Sequence, residues 1–348
     1  MLVNTSRNMF DVAVVGAGPI GIELAAALSK EGISYVHFEA KQIGATINWW
    51  PPQTRWFSSN QRISIAGVPL ISPDQSKSTR EQYLAYLRGV VEQFDLQIRT
   101  YEPVISISKE QDVFAIRSIS RGGEITTFAR KVVLATGGTD EPRRLGVVGE
   151  DLPHVHTLLR EPHDYFKQSL VIVGGKNSAV ESALRAQQAG AKVTLVHRNE
   201  AVPEKHIKYW LMPEFAGLVK GGKIQACFSS KVVLIEPDCV WIESLIDGNR
   251  RSIPADFVLK QIGFEHDAKL LAAAGVELVG TDRVPKFDPQ TLETNVAGLY
   301  VAGTTVGGTQ RSFSVFLENC HVHVDRILAH LTHSRVRLES PIYANIES

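Results

Sequence analysis

The sequence predicts an α/β protein made of two Rossmann-like, three-layer nucleotide-binding domains. Three observations carry this expectation. Two glycine-rich turns, Val14-Val15-Gly16-Ala17-Gly18-Pro19-Ile20-Gly21 and Val171-Ile172-Val173-Gly174-Gly175-Lys176-Asn177-Ser178-Ala179, each follow a strand-like apolar run and open a helix-like segment. The order strand, helix, strand, meander occurs twice along the chain. The 348 residues are long for one hydrophobic core and comfortable for two domains.

The first unit opens with a short apolar strand at 11–15. The helix expected over 19–30 is apolar nearly all round, hence buried, and Pro19 falls in its first turn, where a missing N–H costs nothing. A second strand at 34–38 ends at Glu39. The Pro-rich stretch 48–59 holds Trp49, Trp50 and Trp56; the Trp49-Trp50 pair reads either as core packing or as an aromatic wall beside a cofactor. Thr79-Arg80-Glu81-Gln82 is a capping box, opening a helix with Tyr83, Leu84, Leu87, Val90, Val91 and Phe94 at three- and four-residue spacing. An antiparallel meander is expected at 104–108, 113–118 and 125–128, followed by a separate strand at 131–135 that runs into Ala135-Thr136-Gly137-Gly138.

The pattern restarts after the polar, Pro-marked stretch 140–168: strand 170–173, helix 178–189, strand 192–197, and a meander at 231–236, 240–245 and 257–261. A strand at 298–303 and a long helix at 312–331 close the chain. Both chain ends thus belong with the first unit, giving one domain at 1–150 plus 284–348 and an inserted one at 151–283.

Lys plus Arg balance Asp plus Glu at 37 each, so there is no bulk electrostatic case for nucleic acid or an anionic membrane. No apolar run approaches the ~18–20 residues of a membrane span, and the N-terminus has no signal-like apolar core. Cys227, Cys239 and Cys320, odd in number and widely spaced, make no disulfide framework. A reduced, cytoplasmic protein is expected. His321 and His323, two apart on a helix, point to different faces, and His154 and His156 have no cysteine or acid at ligand spacing, so no metal site is expected.

The first turn is a full G-x-G-x-x-G: Gly16 for the tight turn, Gly18 for backbone approach to a pyrophosphate, Gly21 for helix–strand packing. Glu39 stands where an acid holds a ribose diol. Pro19, Ile20 and Asn48 join this cradle as candidates, as do Ala135, Thr136, Gly137, Gly303 and Thr304 at the two later glycine turns. In the second turn Gly174 and Ala179 keep the first and third positions, while Lys176 takes the place of the second glycine. Gly175, Asn177 and Ser178 complete it. The next strand ends in His197-Arg198; an arginine there suits a 2′-phosphate and favours NADPH over NADH. A chain with two such turns passes electrons between two dinucleotides. No residue stands out as a general acid or base, so the catalytic residues are left unassigned.

These segments, with Gly149 to Val155, Gln261-Ile262-Gly263 and Leu299 to Asn319, resemble the low-molecular-weight thioredoxin-reductase-like flavoproteins over essentially the whole length. The Gly174 to Glu181 run resembles their bacillithiol-disulfide-reductase-like branch in particular. The resemblance implies the FAD/NAD(P)-binding fold of the two-dinucleotide-binding-domain flavoproteins: FAD in the first domain and NADPH in the second. It also implies a homo-oligomer that gives electrons to a small-molecule, disulfide-like, or small-protein acceptor. The alternatives are a reductase of a ferredoxin- or flavodoxin-like carrier and a redox sensor with little turnover. The family's Cys-x-x-Cys is absent, Ile20 stands at the cysteine of that branch, and Thr304 at the usual acid.

Overall fold

The computed structural model describes residues 9–310 and 314–336. Packing divides the chain into two units, one running to Glu141 and resuming at Glu265, the other Pro142–Phe264. The divisions differ from residues 150 and 283 for local reasons. Gly149 lies against the Ile235 carbonyl and Val148 bridges to Leu234, which holds 142–150 on the second unit. His266 N–H donates to Thr309 Oγ1 at 3.0 Å and Thr309 N–H to the Asp282 carbonyl at 2.6 Å, which holds 265–283 on the first.

In the first unit, β1 (Met9–Val15), α1 (Pro19–Lys30) and β2 (Tyr35–Phe38) form the expected parallel unit, with Val12 opposite Tyr35 and Val15 opposite Phe38. α1 buries Ile20, Ile22, Leu24, Ala25 and Leu28, packed between the sheet and the C-terminal helix His321–Leu331. α2 (Arg80–Gln93) starts at the capping box: Gln82 N–H donates to Thr79 Oγ1 at 3.2 Å, and Thr79 N–H to Gln82 Oε1 at 2.8 Å. The strands β3 (Ile98–Arg99), β4 (Val104–Glu110), β5 (Val113–Ser120) and β6 (Gly123–Leu134) follow. The sheet order is β3-β2-β1-β6-β5-β4, with Leu299–Val301 also on β6.

β6 corrects one expectation: 125–128 and 131–135 are not two strands. One continuous strand pairs antiparallel with β5 and then parallel with β1. Arg130, a break in the sequence pattern, takes the exposed position of an alternating strand between Ala129 and Lys131.

The second unit has a parallel sheet, β10-β9-β8-β14-β7, made of β7 (Val155–His156), β8 (Ser169–Gly174), β9 (Lys192–Val196), β10 (Ile224–Cys227) and β14 (Phe257–Gln261). α3 (Asn177–Gln188) follows β8. An antiparallel sheet joins β11 (Ser230–Ile235), β12 (Cys239–Ser244) and β13 (Arg250–Pro254). Here the expected third meander strand is corrected. Phe257–Gln261 lies parallel to β8, Phe257 opposite Leu170 and Gln261 opposite Gly174. Its buried run Val258-Leu259-Lys260 fits a strand covered on both faces. The true third strand, β13, buries only Ile253 and gave no apolar signal.

The closing helix is shorter than 312–331. Among the described residues a 3-10 turn at Leu317–Asn319 precedes the helix, and Ser312 lies outside them. Gln310 Oε1 accepts from the N–H groups of Ser314 and Val315 at 2.9 and 2.8 Å, a side-chain alternative to helical pairing. No helix of the described residues is long and apolar enough to cross a membrane.

Candidate functional site

The first glycine turn sits at the carboxyl edge of β1, between β2 and β6, where open parallel sheets bind ligands. Gly16 has φ +104°, and a Cβ there would strike the Ala135 carbonyl; a Cβ on Gly21 would strike the Gly16 carbonyl. In front of Gly18 a Cβ would meet no atom within 4 Å, so the turn is closed behind and open ahead. Gly18 is the N-cap of α1 and has no side chain to cap it, leaving the first-turn N–H groups toward that space.

Glu39 is buried below the turn: Ala17 N–H donates to its Oε2 at 2.7 Å and Lys41 N–H to its Oε1 at 2.8 Å. Each oxygen keeps a further lone pair. Gly44 N–H donates to the Ala17 carbonyl at 2.9 Å, which brings in the short helix Ala45–Asn48 and with it Asn48. Gly137 N–H donates to Thr305 Oγ1 at 2.8 Å, joining the Ala135–Gly138 turn to the 3-10 turn Gly303–Gly307. Gly303 in turn lies against Ile20: a Cβ on Gly303 would meet the Ile20 Cβ at 3.4 Å. The geometry therefore gathers Gly16 to Gly21, Glu39, Ala135 to Gly137 and Gly303 to Thr304 in one place.

Sequence reasoning missed three residues here: His37, whose Nε2 lies 2.9 Å from the Gly16 carbonyl; Thr305; and His323, whose Nδ1 lies 3.2 Å from Gly303 N. None has a local spacing that marks it.

In the second unit Gly174 ends β8, beside Gln261 of β14 on one side and next to β9 on the other. Gly175 packs directly on the His197 ring. Lys176 is the N-cap of α3, and Asn177 Oδ1 accepts from Lys208 N–H at 2.8 Å. Ser178 is exposed and Ala179 buried. Arg143, which the sequence did not mark, hydrogen-bonds through its N–H to the Gly263 carbonyl at 3.0 Å, just past β14. Partial burial and then the charges of Arg143 and Arg198 push the Lys176 ammonium below its usual range. Three cations thus lie across the carboxyl edges of three adjacent parallel strands. An open depression of about 530 Å³ beside them is lined by Arg198, Asn199, Glu200, Ala201, Ser229, Leu245 and Ile246.

The Trp49-Trp50 pair divides. Trp50 packs edge-on to Trp56 at 4.7 Å, and Trp56 on Tyr83 at 4.5 Å, while Arg80 Nη1 donates to the Trp50 carbonyl at 2.7 Å. Trp49 is 37% exposed. All three thiols are free and raised: Cys320 well up by burial, Cys227 by burial, and Cys239 to about 11 by desolvation and the Glu236 carboxylate. None has the lowered pKa of a thiolate nucleophile. No group of three or more metal-ligating side chains occurs among the described residues.

The family model for pyridine nucleotide-disulphide oxidoreductases matches residues 13–303. The bacilliredoxin reductase Bdr of Bacillus subtilis (strain 168) is 34% identical over 321 residues, 91% of this chain and 96% of its own. A solved structure of the bacillithiol disulfide reductase Bdr (YpdA) from Bacillus cereus superposes with a TM-score of 0.88 at 32% identity, covering 93% of this chain and 99% of the other. The ferredoxin–NADP reductase of Ignicoccus hospitalis is 28% identical over 311 residues, 87% of this chain and 92% of its own. Both cradles fit the two cofactors this family uses: the space before Gly18 and the lone pairs of Glu39 suit a pyrophosphate and an unphosphorylated ribose, and the cations around Lys176 suit a phosphorylated one. The chain belongs to the pyridine nucleotide-disulphide oxidoreductase family, in its thioredoxin-reductase-like, Bdr-type branch, as an NAD(P)H-dependent flavin oxidoreductase with FAD and NADPH as cofactors.

Proposed function

We propose that the chain is an NADPH-driven reductase of a low-molecular-weight disulfide, working as a cytoplasmic homo-oligomer. The observation that carries this reading is the opposite chemistry of the two turns: a buried carboxylate, Glu39, behind the first, and Lys176, Arg143 and Arg198 around the second. Gly16, Gly18, Pro19, Ile20, Gly21, Glu39, Asn48, Ala135, Thr136, Gly137, Gly303 and Thr304 hold FAD. Gly174, Gly175, Asn177, Ser178, Ala179, His197 and Arg198 hold NADPH, with Arg198 on the 2′-phosphate. Held by these residues, FAD would supply the two-electron redox chemistry between the nicotinamide and the acceptor. The protein's residues bind, orient and exclude water, which is what hydride transfer asks of them. The acceptor class rests on the relatives named for bacilliredoxin and bacillithiol disulfide.

A second reading, reduction of a ferredoxin- or flavodoxin-like carrier, draws on a different observation. Ile20 lies against Gly303 at the place where the resembled branch has a cysteine, and the three cysteines are raised in pKa. The Ignicoccus relative carries that activity in its name. Anaerobic mixing with NADPH, followed by bacillithiol disulfide or ferredoxin, separates the readings. Fast bleaching with turnover of the disulfide supports the first, and turnover of ferredoxin alone replaces it with the second. Failure of NADPH to bleach the flavin points to a redox sensor. Sedimentation velocity tests the oligomer.

A further inference from the structure

We propose that His37 and His323 are positioning residues of the first nucleotide site: two buried neutral imidazoles that lock a carbonyl and an amide of the two glycine loops from behind. This rests on the reading that those loops hold FAD. Glycine leaves both peptides free to rotate, so something else must fix where their N–H and C=O groups point.

His37 lies on β2 opposite Val14, with no exposed surface. Its Nε2 is 2.9 Å from the Gly16 carbonyl. A carbonyl oxygen only accepts, so Nε2 carries the proton and donates. Nδ1 is buried with no hydrogen-bond partner, and burial holds the ring down at about 4 despite that bond. The ring is therefore the neutral Nε2–H tautomer. On its other side the Gly16 carbonyl is pressed by Gly21, so this peptide is pinned between α1 and β2.

His323, on the C-terminal helix, meets the opposite group. Gly303 N–H donates to its Nδ1 at 3.2 Å, so Nδ1 is bare and the Nε2–H tautomer holds again. Burial, with Arg326 and then His321 as the neighbouring charges, keeps it neutral down to about 4. Gly303 has φ +69° and opens the turn whose Thr305 accepts from Gly137 N–H, so one imidazole fixes both later loops.

The contrast is His321, two residues away. Its Nδ1 is 2.8 Å from Glu23 Oε2 and its Nε2 2.9 Å from the Arg62 carbonyl, so both nitrogens face acceptors and both carry protons.

Nitrogen-detected spectra of the histidine rings, recorded on apoprotein and FAD-loaded protein, test the assignment without activity. His37 and His323 should each show the Nε2–H tautomer and no titration from about pH 5.5 to pH 8, the window in which an ordinary histidine changes charge. A Nδ1–H tautomer, or titration inside that window, overturns the proposal. His37→Leu and His323→Leu should weaken FAD binding to apoprotein by about tenfold, the effect of one buried hydrogen bond lost with its partner left unpaired. His37→Gln, which can donate, and His323→Gln, which can accept, should recover most of it. Leu variants that fold and bind FAD as wild type overturn the proposal, and if they do not fold the ring spectra of the wild type decide. Glu39→Ala separates the two levels. If it weakens FAD while the Leu variants do not, the positioning role fails alone; if it leaves FAD affinity unchanged, the reading of the site fails.

Discussion

Glu39 commits both carboxylate oxygens to backbone N–H groups, of Ala17 and Lys41, so its charge shapes the glycine turn even without a ligand. Glu39→Ala is expected to weaken FAD by ~1–3 kcal/mol, the worth of a charge-assisted hydrogen bond in a partly dry site; fluorescence titration of apoprotein measures it, and an unchanged Kd would remove Glu39 from the site. Arg198 is exposed at the end of its strand and sensed by Lys176. Arg198→Ala should raise KM for NADPH by about tenfold and leave NADH nearly unaffected, since only NADPH carries the 2′-phosphate that the guanidinium would pair. Equal losses with both nucleotides would mean that Arg198 supports the fold of the turn. The turn at Gly16, the packing at Gly21 and the place of Glu39 beneath them were legible because they sit at fixed spacings along one strand–turn–helix–strand. His37, Thr305, His323 and Arg143 were not. Each acts on a group that only folding brings near.

The helices carry the next set of expectations. The capping box at Thr79 was readable from four letters, since both partners lie within three residues. Thr79→Ala should cost about 1 kcal/mol of stability, with circular dichroism against urea as the measurement; no change would mean that Gln82 and the neighbouring turn satisfy those N–H groups unaided.

α1 and the C-terminal helix are tied by a pair no local rule announces, His321 with Glu23, whose other oxygen accepts from Ala66 N–H at 3.1 Å. Burial alone would lower the pKa of His321, but the Glu23 carboxylate and the Arg62 carbonyl outweigh it and raise it above 6.5. A raised folded-state pKa adds stability that is full below the unfolded value of 6.5 and is lost as pH climbs through the folded one. The stability gap between wild type and His321→Gln should therefore be wider on the acid side of 6.5 than in alkali. A gap that is constant, or that widens with rising pH, would show that the pair is not charged in the folded protein.

At the scale of the whole molecule the cysteines make the sharpest expectation. Cys320 is fully buried, Cys227 accepts a hydrogen bond from Arg251 Nη2 at 3.1 Å, and Cys239 donates to Glu236 at 3.2 Å. A triple Cys227, Cys239 and Cys320 to Ser variant that folds should keep most NADPH oxidation with its acceptor. Loss of turnover in Cys320→Ser alone, with FAD still bound, would restore a thiol mechanism that the geometry disfavours.

By itself the sequence determined two nucleotide turns, each between a strand and a helix, the acid after one and the arginine after the other. These are local patterns, written within one strand–turn–helix, and local sterics and hydrogen bonding suffice to impose them. It also determined the insertion of one unit in the other, because the repeated order of elements is a linear property. Only the tertiary structure decided that 123–134 is one strand shared by two pairings, and that Phe257–Gln261 belongs to the parallel sheet rather than the meander. Strand neighbours are chosen by which faces are buried on both sides, and that choice is made between segments far apart in the chain. The same holds for the two imidazoles behind the glycine loops. A histidine's tautomer is set by the one group it touches, and for His37 and His323 that group lies about twenty residues away in sequence.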